Sequence, residues 1–167
     1  MMSFTELTSV DSQYREESVK VLLATDGSRF TEVATQTMIS LFRAQDSEVL
    51  VLQIVEPPVF STPPQMAAGY APEMEEQLQS LFKDARESVA RTAEALRTAG
   101  FKADSRVVEA EIRSGILDAA AEWGADLIVL GSHGEKGLRK FLLGSVSDSV
   151  ARHATCSVFI VRNPQAG

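Results

Sequence analysis

Apolar residues along the chain fall into five short bursts separated by longer stretches with helical spacing. The bursts are residues 19–25 (VKVLLAT), 49–55 (VLVLQIV), 103–108 (ADSRVV), 127–130 (LIVL) and 157–161 (SVFIV). Four of them are nearly continuous in Val, Ile and Leu, as expected of parallel strands covered on both faces. The third is more polar and suits a strand at a sheet edge. Between the bursts, Phe30, Val33, Ala34, Met38, Leu41 and Phe42 recur every three or four residues. The same spacing runs from Met74 through Leu78, Leu81, Phe82, Ala85, Val89 and Ala93 to Leu96, and from Ile112 through Ile116, Ala119 and Ala120 to Trp123. A shorter set comprises Val146, Val150 and Ala154. Each set makes one apolar stripe for a helix to lay on a sheet. Gly100 and Gly124 stand just past the second and third stripes, where C-terminal glycines belong.

The order β-α-β-α-β-α-β-α-β predicts right-handed crossovers and one open parallel sheet with helices on both faces. Such α/β sheets bind ligands at the carboxyl ends of their strands, beside the topological switch point. Informative residues should therefore lie directly after strands. Three segments do: Thr25-Asp26-Gly27-Ser28, residues 57–72, and Gly131-Ser132-His133-Gly134. The stretch 57–72 (PPVFSTPPQMAAGYAP) carries five prolines, which forbid a helix or a central strand there, so a linker or a lid is expected.

Composition narrows the class. The chain has 167 residues, 44 % hydrophobic and 23 % charged, an ordinary globular balance sized for one domain with its own core. No apolar run approaches the roughly 18 residues of a membrane helix. The stretch before Ser18 has no apolar h-region, so no secretory signal is expected. The lone Cys156 leaves no internal disulfide and no multi-cysteine zinc site. Lys+Arg number 16 against 23 Asp+Glu, and the net charge of −7 without a basic run speaks against a nucleic-acid partner. The expectation is a cytoplasmic, acidic domain over 18–163, with a polar extension at 1–17 and a tail at 164–167, and with neither membrane nor nucleic acid as partner.

Candidate chemistry centres on Gly131-Ser132-His133-Gly134, nine further residues, and then Gly144-Ser145. Glycines straight after a buried strand let backbone approach a ligand where a Cβ would clash. Gly144 and Ser145 then open the last helix, whose unpaired N–H groups at Ser145, Val146 and Ser147 suit an anion such as a triphosphate. Lys136, Arg139 and Lys140 lie within reach in the nine-residue spacer or are plain surface charges. There is no G-x-x-x-x-G-K-[ST] and no G-x-G-x-x-G after the first strand, so the familiar phosphate and dinucleotide loops are absent. Asp26 can accept from a ribose hydroxyl or hold a cation, or can simply make an Asx turn. His133 has no Ser/His/Asp constellation around it. His153 reads as a helix C-terminal cap, Cys156 as a small hydrophobe and Trp123 as core. No residue is assigned to catalysis.

On these residues the chain resembles the universal stress protein A family from Val19 to Arg162. The matching stretches are residues 21–28 (VLLATDGS), 125–134 (ADLIVLGSHG) and 142–146 (LLGSV). Gly131-x2-Gly134-x9-Gly144-Ser145 is similar, glycine for glycine, to the family's ATP-binding pattern. The resemblance implies a five-stranded parallel sheet in the order 3-2-1-4-5, Rossmann-like and akin to the adenine nucleotide alpha hydrolases. By carry-over, Ala24, Asp26, Ile54 and Leu130 line the adenosine end, and Gly131, Gly134, Gly144, Ser145 and Val146 hold ribose and phosphates. ATP is the implied ligand, with Mg or Mn as its companion cation. The implied assembly is a homodimer joined through the last strand. One departure stands out: Glu109-Ala110-Glu111-Ile112 replaces the family's usual Gly, often with Pro, after the third strand.

The expected function is thus an ATP-binding module in a stress response. The alternatives are a slow ATPase, an enzyme phosphorylating itself on Ser145 or Ser147, and an interaction protein that binds no nucleotide. An ATP pyrophosphatase is disfavoured, since Ala24-Thr25-Asp26-Gly27-Ser28 is not its S-G-G-x-D-S loop.

Overall fold

The computed structural model describes residues 18–57, 64–132 and 143–162, with backbone alone at 29, 64–71 and 73. Its elements run β1 (Val19–Thr25), α1 (Arg29–Leu41), β2 (Ser47–Val55), α2 (Pro64–Thr98), β3 (Lys102–Glu109), α3 (Ile112–Trp123), β4 (Leu127–Gly131), α4 (Ser145–His153) and β5 (Ser157–Val161). A short 3-10 turn, Ala44–Asp46, precedes β2. The five strands form one parallel sheet in the order β3-β2-β1-β4-β5. β1 is central, and the polar burst forms the edge strand β3.

Two apolar layers flank the sheet. On one face Val21, Leu23, Val49, Val51 and Val129 pack with Ala34 and Met38 of α1 and with Val89, Ala93 and Leu96 of α2. On the other face Leu22, Leu50, Leu52, Ile128 and Leu130 pack with Ile116, Ala119 and Ala120 of α3 and Val150 of α4. Strand alternation sends successive residues of each burst to opposite layers, which is why the middle of β1, β2 and β4 is continuously apolar.

Capping residues set the helix ends. Ser28 opens α1, its Oγ accepting from the Phe30 N–H at 3.2 Å. α3 ends at Gly124, whose φ of 70° only glycine adopts readily. Near the amino ends of the strands, the Lys20 backbone N–H donates to Asp126 Oδ2 at 3.0 Å. The Lys20 ammonium donates to the Trp123 carbonyl at 3.1 Å and lies 5.3 Å from that ring's centroid. Trp123 is therefore half-buried, an apolar ring with a cation over its face.

The Pro-rich stretch departs from expectation. A loop over 57–72 was expected, yet α2 begins at Pro64 and carries Pro72 inside it. Pro64 sits at the first helical position, where a missing N–H costs nothing because that donor has no partner in any helix. Pro72 forfeits the bond to the residue 68 carbonyl, and helix formers on both sides (Gln65, Met66, Ala67 and Ala68 before it, Glu73, Met74, Glu75 and Glu76 after it) carry the helix through. Residues 58–63 lie outside the described residues.

Candidate functional site

The carboxyl ends of β1, β2 and β4 meet where the chain switches direction across the sheet. After β1 the backbone turns at Gly27, with φ of 75°. The Gly27 N–H donates to Thr25 Oγ1 and the Ser28 N–H to Asp26 Oδ1, each at 3.0 Å. Asp26 thus makes the Asx turn that aims α1 and stands exposed at the rim. A Cβ on Gly27 would lie 3.2 Å from Ser88 Oγ and 3.7 Å from the Gln53 amide, so this turn sits tight against α2 and β2.

In the second half of the site one hydrogen bond ties the end of β4 to β5 and two tie it to the start of α4. The Ser132 N–H donates to the Val161 carbonyl at 2.8 Å, and the Gly144 N–H donates to the Ser132 carbonyl at 2.9 Å. The Ser147 hydroxyl, 3 % exposed, donates to the Gly131 carbonyl at 2.7 Å. Gly144 is the N-cap of α4, in extended conformation (φ −62°, ψ 149°) and without a side chain to cap the helix. The first bond within the helix runs from the Asp148 N–H to the Gly144 carbonyl at 2.9 Å. The N–H groups of Ser145, Val146 and Ser147 therefore have no acceptor inside the helix, at its positive end.

Charge along α4 agrees with that polarity. Asp148 in the first turn would repel an anion, but its carboxylate is bonded to Arg152 Nε at 2.9 Å. That hydrogen bond holds Asp148 below the usual carboxylate range and Arg152 above its own. His153 Nδ1 lies 2.8 Å from the Ser149 carbonyl in the last turn, as a C-terminal cap should. The thiol of Cys156 is pushed up by burial, with the Asp126 charge adding to it, and it packs against the α3/α4 layer as a small apolar group.

Four of the expected site residues share one layer. Ala24 pairs with Leu130 across β1 and β4, and Ala24, Ile54, Leu130 and Val146 all belong to or pack against the α3/α4 core. Gly131 ends β4 and Gly144 and Ser145 open α4, beside that layer's upper edge. Ser145 is exposed. Gly134, with His133, Lys136, Arg139 and Lys140, lies outside the described residues.

The turn after β3 is built without the family's glycine. The Ala110 N–H donates to the Val55 carbonyl at 3.2 Å. Glu111 caps α3, its carboxylate accepting from the Ser114 N–H at 2.8 Å, and that bond holds its carboxyl below the usual range. The glycine this chain needs comes later. A Cβ on Gly115 would meet Ala110 Cβ at 2.9 Å and Ile54 Cδ1 at 3.0 Å, so Gly115 lets α3 approach Ile54. Sequence reasoning passed it over, although a glycine inside a helix costs about 1 kcal/mol relative to alanine and so signals a packing need. Gln53 was also missed. It is a polar interruption in the second burst, and its Oε1 is buried without a hydrogen-bond partner among the described residues.

With this geometry in view, comparisons with known proteins decide the family. The model of the Universal stress protein family matches residues 18–162. The chain belongs to the universal stress protein family. Among its relatives is universal stress protein YxiE of Bacillus subtilis, 32 % identical over 145 residues, covering 86 % of this chain and 98 % of the relative. Universal stress protein Sll1388 of Synechocystis is 33 % identical over 150 residues, covering 86 % and 97 %. Among solved structures, MJ0577 of Methanocaldococcus jannaschii superposes with a TM-score of 0.75 at 25 % identity, over 87 % of this chain and 96 % of that one. Structures of the same fold at lower identity include universal stress proteins solved with cAMP, with AMP and with dAMP. The sheet order 3-2-1-4-5 is the one the resemblance implied. Among the described residues, no helix of this universal stress protein is long and apolar enough to cross a membrane.

Proposed function

We propose that this universal stress protein binds an adenine nucleotide, ATP with Mg or Mn, at the carboxyl ends of β1, β2 and β4, and acts in the cytoplasm as a binding or signalling module. The observation that carries this reading is the bond from Ser147 Oγ to the Gly131 carbonyl, which sets the start of α4, whose first N–H groups have no acceptor within the helix, against the end of β4. An anion there meets several aligned N–H groups and the positive end of a helix dipole, with glycines at Gly131 and Gly144 leaving room for it. Ala24, Ile54 and Leu130 offer an apolar wall for the base, and Asp26 an acceptor at the rim for a ribose hydroxyl. Gly131, Gly134, Gly144, Ser145 and Val146 take the ribose and phosphates. The bound relatives carry AMP, dAMP and cAMP, adenine nucleotides with a single phosphate, which supports an adenine nucleotide here. Of the two serines weighed for self-phosphorylation, Ser147 is buried with its hydroxyl engaged, whereas Ser145 is exposed. Calorimetric titration of the full chain with ATP tests this function, and absence of binding would overturn it.

The same reading includes a homodimer. β5 pairs with β4 on one side, and its other side carries no strand among the described residues. An edge of such apolar character, Val158 to Val161, invites pairing with a second copy. Light scattering is expected to give the mass of two chains, and the mass of one at about tens of micromolar, ample for an interface near ~1,600 Å², would exclude it.

A further inference from the structure

We infer that Ser147 is a positioning residue that makes this site discriminate phosphorylated from unphosphorylated adenosine; the inference rests on the nucleotide-binding reading above. Ser147 stands in the first turn of α4 on the inward side, 3 % exposed, and its Oγ reaches the Gly131 carbonyl at 2.7 Å. A buried hydroxyl with no partner would be costly, so the bond fixes the side chain and with it the pitch and depth of the helix start. The other link is a backbone bond, from the Gly144 N–H to the Ser132 carbonyl, and Ser132 is itself held to β5 by its N–H on the Val161 carbonyl. Of these two ties between the beginning of α4 and the end of β4, one is written in a side chain.

The physical consequence concerns the phosphate end alone. N–H groups stabilise an anion in proportion to how well they are held on it, because donors already in place pay no reorganisation when the charge arrives. Without the Ser147 bond the first turn of α4 is free to fray, as helix ends do. The apolar wall formed by Ala24, Ile54 and Leu130 stands on β1, β2 and β4, whose ladders do not involve Ser147. Loss of the hydroxyl should therefore lower affinity for ATP and leave adenosine largely unaffected. A purely structural role forecasts something else, a lower unfolding temperature with both ligands affected alike or not at all.

The test is titration of the full chain and of Ser147→Ala with ATP and with adenosine. The expected result is that Ser147→Ala binds ATP about tenfold more weakly, the scale of one lost hydrogen bond, with adenosine affinity within about twofold of the parent. Ser147→Cys keeps the volume while replacing the hydroxyl by a weak donor. It is expected to show the same split, and it decides the matter if the alanine variant does not fold. Equal losses for the two ligands, or unchanged ATP affinity, would overturn the positioning role while leaving nucleotide binding intact. A parent protein that binds neither ligand would instead overturn the functional reading on which the role depends.

Discussion

Gly144→Val is expected to weaken ATP binding by roughly ten- to several-hundred-fold while leaving the chain folded. Gly144 sits at φ −62° and ψ 149°, extended backbone that valine adopts without strain. The conformational explanation for a glycine here, a turn needing positive φ, therefore does not apply. What remains is space: a branched side chain at the helix start stands where an anion approaches the N–H groups of α4. Each hydrogen bond lost to a charged group costs about 1.5–3 kcal/mol, and 1.4 kcal/mol is a factor of ten. Calorimetry with ATP and thermal unfolding of the same variant answer together. A folded Gly144→Val protein with unchanged ATP affinity would remove Gly144 from the site.

Leu22→Ala is expected to cost about 2–5 kcal/mol of stability, lowering the unfolding temperature by roughly 5–20 °C. Leu22 is fully buried in the central strand, flanked in register by Leu50 of β2 and Ile128 of β4. Its layer also holds Ile116, Ala119 and Ala120 of α3 and Val150 of α4. Strands paired on both sides cannot close around a void, so most of the lost volume stays as a cavity. The same layer carries Leu130 and supports Ala24 and Ile54, so the cost falls on the frame that holds the proposed adenosine wall. Denaturant unfolding measures it, and a loss below about 1 kcal/mol would mean that this layer relaxes in a way its packing does not suggest.

The strands were legible because their side chains leave no choice. A run such as residues 19–25, buried on both faces over 21–23, can be little else between helical stripes. Edge placement of β3 followed from its polar residues, and the helix ends at Gly100 and Gly124 from the positive φ that both adopt. The start of α2 was not legible, because proline weighs against a helix without forbidding one at its first turn or, with strong neighbours, inside it. Sheet order was not derivable from periodicity and came from the resemblance. For the site, glycine spacing pointed to Gly131 and Gly144. The hydrogen bond that joins Ser147 to the Gly131 carbonyl was not legible, because it spans sixteen positions of the chain. Gly115 and Gln53 escaped because their surroundings come from other elements.

Nucleotide binding is tested most directly by calorimetric titration of the purified chain with ATP in the presence of Mg, taken to about 1 mM, where even a site worth only ~4 kcal/mol is half filled. Saturable binding of one nucleotide per chain is expected. No detectable uptake across that range would contradict it.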